Sequence, residues 1–274
     1  MVLRPTEGGG KLYICPKRFA LGFLSLIWKV YVAIVFAVFA VLFYPFLWVV
    51  LLVPSWKKSS FRIFVAWSWM MRVFCLYGIR KVVSNPLPDG PYVIVSNHSS
   101  YLDIFLMHSL LPKYPFLFMG KAEILSYPII RTYFKGLNIP VYRKDRQKAA
   151  RSFIMAKRAV EQGWSIVIFP EGTIPETGNP KMLPFKQGAF KLARSLNIPI
   201  VPITFTNNYH LFSDPENLLG PAHPGISRVY IHPHVSAEHV QSMSVEALTD
   251  HCFDVINEPL LKEYPELLSQ NEKQ

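Results

Sequence analysis

Four residues separate a histidine from an aspartate in the stretch Asn97-His98-Ser99-Ser100-Tyr101-Leu102-Asp103. A neutral imidazole takes up a proton near pH 7. A carboxylate bonded to its other nitrogen holds the tautomer and stabilises the imidazolium that forms. His98 and Asp103 therefore suit removal of a proton from a hydroxyl and its return to a leaving group. Ser96, Ser99 and Ser100 beside them offer a second chemistry, a Ser–His nucleophile. Strand-end serines usually serve as caps, however, and the chain has no GxSxG elbow. A second stretch, Phe169-Pro170-Glu171-Gly172-Thr173, holds a glycine that allows close backbone approach, and backbone N–H groups that can face an anion.

Two elements must position the first pair. Pro91 and the β-branched run Val93-Ile94-Val95 predict a strand from Tyr92 to Ser96, and Ser99 or Ser100 is a suitable N-cap for the apolar segment Ile104 to Leu111. Residues five apart on a continuous helix are rotated by about 140° and their side chains diverge. A strand-to-helix turn at His98 lets the imidazole fold back onto Asp103 in the first helical turn.

The forms NHxxxxD (Asn97 to Asp103) and FPEGT (Phe169 to Thr173), at this separation, resemble the glycerolipid acyltransferase family, especially its bacterial 1-acylglycerol-3-phosphate acyltransferases. Gly136-Leu137-Asn138-Ile139-Pro140-Val141-Tyr142-Arg143 is similar to the family block that ends in a phosphate-binding arginine, and Ile198-Pro199-Ile200-Val201-Pro202-Ile203 resembles its fourth, proline-containing block. The resemblance spans roughly Pro91 to Thr206. It implies His98 as general base oriented by Asp103, direct attack by the substrate hydroxyl without an acyl-enzyme, and acceptor binding by Glu171, Gly172 and Thr173. Asn97, Lys121 and Arg143 join the expected substrate contacts. Arg143 comes first, because a guanidinium binds two phosphate oxygens at once; Lys144 and Lys186 are further candidates. A bare carboxylate repels phosphate, so Glu171 is expected to orient its loop or a cation. Many members carry an arginine directly after the EGT triplet, where this chain has Ile174. That departure bears on how the acceptor headgroup is held.

The 274 residues suffice for one catalytic domain plus an appendage. The net charge of +11 is unevenly spread. Residues 1–81 hold eleven Lys/Arg against the single Glu7, and Lys113 to Arg158 hold eleven against Glu123 and Asp145, whereas 213–274 hold three basic residues against ten acidic ones. Basic blocks interleaved with long apolar, Trp-rich runs favour anionic lipid over nucleic acid. The three cysteines, Cys15, Cys75 and Cys252, are widely spaced and form no CxxC pair, which excludes a disulfide framework and fits a reducing compartment. His232-Pro233-His234 invites a metal reading, but no carboxylate or Cys partner pattern supports it, and no metal is expected.

Val30 to Val53 carries no charge, and its 24 residues span roughly 36 Å as a helix, enough for a hydrocarbon core of about 30 Å. Pro45 is positioned to bend it. Phe61 to Tyr77 is apolar and aromatic but includes Arg62 and Arg72, and reads as an interfacial helix with Trp67 and Trp69 near the headgroups. Basic residues flank the first segment on both sides. The expectation is a hairpin that embeds and returns, with both ends on the cytoplasmic side.

After the turn-rich stretch Asn85 to Gly90, short strands and helices alternate. Strands are predicted at 92–96, 116–119, 138–142, 165–169, 200–205 and 228–231. Helices are predicted after Asp145 to Gly163, over 187–196, and as one or two amphipathic helices in 244–268. The expected architecture is an α/β fold, a mixed sheet covered by helices and preceded by the membrane hairpin, with residues 1–81 as the membrane-embedded part and 82–274 as the acyltransferase domain. By the resemblance, the chain is expected to acylate the sn-2 hydroxyl of 1-acylglycerol 3-phosphate to phosphatidic acid. Acyl-CoA or acyl carrier protein would be the co-substrate, with no cofactor, at the inner (cytoplasmic) membrane with the domain facing the cytoplasm. The alternatives are acylation of another lysolipid such as lyso-ornithine lipid, and a non-catalytic lipid- or carrier-binding adaptor.

Overall fold

The computed structural model describes residues 16–126, 131, 137–142, 145–175, 178–214 and 216–267. Seven strands form one sheet: β1 Tyr77–Ser84, β2 Val93–Ser96, β3 Phe116–Lys121, β4 Ile139–Val141, β5 Ser165–Ile168, β6 Ile200–Phe205 and β7 Gly225–Ile231. Their order is β1-β7-β6-β2-β5-β3-β4. All neighbours run parallel except β6 and β7. The sheet is thus mixed, and its central strands are buried on both faces. Val93, Ile94 and Val95 of β2, Ile166 and Val167 of β5, and every residue of β6 are enclosed. Such continuous apolar strands require cover on each side.

The six expected strands are all present, and β1 is an addition. Arg80 and Lys81 in its middle hide it in the sequence. It lies at the sheet edge, where most of its side chains face outward and charge is tolerated.

The helices are α1 Pro16–Leu52, α2 Ser59–Phe74, α3 Leu102–Leu110, α4 Arg146–Glu161, α5 Gly188–Leu196, α6 Asn208–Leu211, α7 Ala237–Ser242 and α8 Val245–Glu263. Local chemistry sets several of their ends. The Asp145 side chain accepts the Lys148 amide at 3.0 Å to start α4. Asn197, in the left-handed region at φ 52°, ends α5. Leu248, Cys252, Ile256 and Leu260 form the buried stripe by which α8 covers the sheet.

α1 and α2 form an antiparallel hairpin laid lengthwise on the domain. At its base the Trp28 indole donates to the Tyr77 hydroxyl at 2.9 Å, and the Tyr31 hydroxyl to Phe74 O at 2.9 Å. Midway, the Ser68 hydroxyl donates to Phe105 O on α3. Near the tip, Phe61 meets the Phe116 ring at 5.1 Å. Trp67, expected among lipid headgroups, instead packs inside. Its ring stacks on Phe36 at 5.0 Å, because α2 turns this face toward α1 and α3. Trp69 does face outward. Pro45 lies within α1 without ending it. The outer side of α1 exposes Leu21, Leu24, Ile34, Val38, Val41, Phe46 and Leu52. Ala20–Leu52 is long and apolar enough to cross a membrane.

Candidate active site

The parallel strands β2 to β6 all end at one edge of the sheet, so the loops that follow them converge there, where open α/β sheets bind ligands. His98 lies two residues beyond β2, and Asp103 in the first turn of α3. The turn between them folds the imidazole back as its spacing requires: His98 Nδ1 and Asp103 Oδ2 are 3.1 Å apart. The serines do not cap α3 in the expected way. Asp103 Oδ2 itself accepts the amides of Ser99 and Ser100, at 2.8 and 2.9 Å, and the Ser100 hydroxyl accepts that of Leu102 at 3.0 Å.

Asp103 is wholly buried, and a carboxylate without water needs such donors. Because Nδ1 must donate to it, Nε2 is the ring nitrogen left with a lone pair. The imidazole stacks on Phe169 with centroids 4.1 Å apart, and Phe169 lies over Phe118, which holds the ring plane. The hydroxyls of Ser96 and Ser100 donate to Asn97 O and Phe212 O, while Ser99 Oγ is buried without a partner among the described residues.

Glu171 acts on the same loop. One carboxylate oxygen accepts the His98 amide at 2.7 Å, the other the Leu183 amide at 2.7 Å. Burial pushes this carboxyl up to about 7; the Leu183 and His98 amides oppose the rise, and the nearby charge of Asp103 adds to it. Gly172 adopts φ 78°, a conformation that an L side chain resists, and its amide closes a turn onto Phe169 O at 3.0 Å. Beyond that turn the Lys121 ammonium, at the end of β3, donates to the Thr173 hydroxyl at 3.0 Å, which brings a cation to the FPEGT loop. Ile174 turns into the protein.

Of the expected substrate contacts, Lys121, Gly172 and Thr173 are therefore gathered at one rim. Asn97 is elsewhere: its amide both donates to Phe205 O at 2.8 Å and accepts Phe205 N at 2.9 Å, clamping the turn to β6. Arg143, like Lys144, lies outside the described residues. His232, of the discounted histidine pair, meets the Thr204 hydroxyl at 2.8 Å, and burial holds its ring down to about 4. Sequence reasoning missed Asn208, whose Nδ2 donates to Asp103 Oδ1 at 2.7 Å across 105 residues of chain. Its signal in the sequence is the Asn207-Asn208 pair after the fourth block.

The Acyltransferase family model matches residues 78–206. The chloroplastic 1-acyl-sn-glycerol-3-phosphate acyltransferase BAT2 of Brassica napus is 32% identical over 73% of this chain and 56% of its own length. The alpha enzyme of the same name in Mus musculus is 32% identical over 64% of this chain and 61% of its own. The protein acl-1 of Caenorhabditis elegans, named for the same activity, is 30% identical over 73% of this chain and 72% of its own. The chain thus spans little more than half of the first of these relatives. Among solved structures, the 1-acyl-sn-glycerophosphate acyltransferase PlsC of Thermotoga maritima shares the fold, with a TM-score of 0.70 at 21% identity, over 88% of this chain and 96% of that one.

Proposed function

We propose, from the premise that this chain belongs to the acyltransferase family, that it moves a fatty acyl group from a thioester to the sn-2 hydroxyl of 1-acylglycerol 3-phosphate, giving phosphatidic acid. The observation that carries the reading is the His98 ring, tied through Nδ1 to a buried carboxylate so that Nε2 is the basic nitrogen. Nε2 takes the acceptor's hydroxyl proton as that oxygen attacks the thioester carbonyl. The carbon–sulfur bond then breaks, and the departing thiolate takes the proton from Nε2, leaving His98 as it began. Asp103 stabilises the imidazolium between these steps. The Ser96 and Ser100 hydroxyls are committed to backbone carbonyls and Ser99 is buried, which favours direct attack over an acyl-serine.

Lys121, beside Thr173, supplies the described cation for the acceptor phosphate, and the resemblance adds Arg143. Glu171 braces the catalytic loop and holds no headgroup, since its oxygens accept two backbone amides. The donor is acyl-CoA or acyl carrier protein, without a cofactor. The hairpin embeds its outer face in the cytoplasmic side of the inner membrane without crossing it, which puts the site within reach of a lysolipid.

The test is acyl transfer by detergent-purified protein, with wild type and His98→Ala compared on labelled acyl-CoA and acyl carrier protein. The acceptors are lysophosphatidic acid, glycerol 3-phosphate and lyso-ornithine lipid. His98→Ala is expected to lose at least about 10²-fold in rate on lysophosphatidic acid. A folded variant with near-normal rate would sink the mechanism. Product from another acceptor alone would overturn the substrate, and buried Ile174, where the family resemblance expects an arginine, makes lyso-ornithine lipid the acceptor to watch.

A further inference from the structure

Asp103 Oδ2 accepts from the His98 ring and from the amides of Ser99 and Ser100, which leaves Oδ1 to Asn208 Nδ2, its donor among the described residues. Asn208 is itself wholly buried, and its own Oδ1 meets no hydrogen-bond partner among the described residues. Leaving half an amide unsatisfied in a dry site is costly. Flipping that amide would set an oxygen against the carboxylate, so Asp103 alone dictates how it lies. The neighbouring Asn207 serves the frame instead: its Oδ1 accepts the Arg228 amide at 2.8 Å, and its Nδ2 donates to Ile226 O at 2.9 Å. The short helix that presents Asn208 is pinned to the catalytic turn on both sides, by Asn97 on Phe205 before it and by the Ser100 hydroxyl on Phe212 O after it.

We propose that Asn208 is a positioning residue for the transfer reaction, acting through Asp103 to hold the carboxylate that orients His98. The proposal rests on the reading of His98 and Asp103 as the reacting dyad. Without the Asn208 donor, the charge of Asp103 is shared among fewer hydrogen bonds. Both the carboxyl and the imidazole facing it then hold a proton more tightly, and the base becomes free only at higher pH.

Among the described residues, the titratable groups around this pair are few. Glu171, from the loop after β5, keeps its proton up to about pH 7 and repels Asp103 once ionised. Tyr209 and His210, on α6, direct their rings toward Tyr264, and His108, farther along α3, lies among Phe61, Phe64, Phe116 and Phe118.

The experiment compares wild type, Asn208→Leu, Asp103→Asn and the double variant in the detergent assay with acyl-CoA and lysophosphatidic acid. It reads kcat, KM and the acid limb of kcat/KM. Asn208→Leu is expected to lower kcat about 10- to 100-fold, leave both KM values within about threefold, and move the acid limb about half to one pH unit upward. In the Asp103→Asn background the same substitution should cost less than about twofold, because its route of action is already cut. The limb's position does not depend on how much enzyme is folded, so a poorly folding variant still reports. Asn208→Asp sets a second carboxyl against the first; the buried pair shares one proton, which restores a donor to Oδ1, so the limb should move less than in Asn208→Leu. An unmoved limb in Asn208→Leu, or a full further loss in the Asp103→Asn background, overturns the role of Asn208. An Asp103→Asn enzyme as active as wild type overturns the dyad beneath it.

Discussion

Glu171 links three parts of the site through one carboxyl: the loop after β5, the backbone of His98, and Leu183 twelve residues on. Its motif is conspicuous in the sequence, and family resemblance assigns it to the acceptor. In the fold its oxygens face two amides inside the protein. Because burial raises its folded pKa to about 7 against a usual value of 4.5, the folded chain keeps a proton that the unfolded chain releases. Stability from this group is therefore fully present below about pH 4.5 and is lost as pH rises through about 7, roughly 3 kcal/mol in all. Glu171→Gln turns an NH₂ toward one of the two amides and should cost about 1–3 kcal/mol at acid pH. The gap in melting temperature between wild type and variant should then narrow from pH 5 to pH 8. A gap that is constant, or that widens with pH, would mean that the carboxyl is already ionised at pH 5.

At the scale of elements, the hairpin and the loops of the candidate site share one joint. Lys29, buried near the base of α1, donates to the Ser213 hydroxyl at 2.9 Å and to the carbonyls of Asp214 and Asn217. That loop begins directly after Phe212, whose carbonyl receives the Ser100 hydroxyl. Sequence inspection counts Lys29 only as one of the basic residues flanking an apolar run. Its partners lie more than 180 residues away in the chain, so no local pattern points to them. Lys29→Met keeps the stem and removes the three donated bonds, each a charged-donor bond of about 1.5–3 kcal/mol. Limited proteolysis should then cut within 213–220 several times faster than in wild type, at about the same rate elsewhere. Unchanged cleavage would show that Lys29 does not hold the loop.

At the scale of the whole molecule, both ends of the hairpin contact the same domain: Trp28 and Lys29 at the base, Phe61 near the tip. A helix crossing the bilayer would carry its far end away from the domain that these contacts hold. The outer side of α1, with Leu24 61% and Val41 67% exposed, is an apolar flank, which on the proposed reading lies in one leaflet. A cysteine at exposed Ser55, near the tip, is expected to resist an impermeant maleimide added to intact spheroplasts and to react once they are permeabilised. Labelling in the intact spheroplasts would establish a crossing.

The sequence by itself determined the dyad and its turn, because His98 and Asp103 are local partners whose spacing makes sense only at a strand-to-helix junction. It also determined the central strands and the long apolar helix, since continuous β-branched runs and charge-free stretches admit few other environments. Only the tertiary structure decided what Asn97, Trp67, Lys29 and Asn208 do. Each meets a partner far along the chain, and an amide, an indole or an ammonium carries no record in its neighbours of which distant carbonyl, ring or carboxylate it will meet. The edge strand β1 belongs with them. Its mixed, charged sequence becomes a strand only because β7 lies beside it to accept its hydrogen bonds.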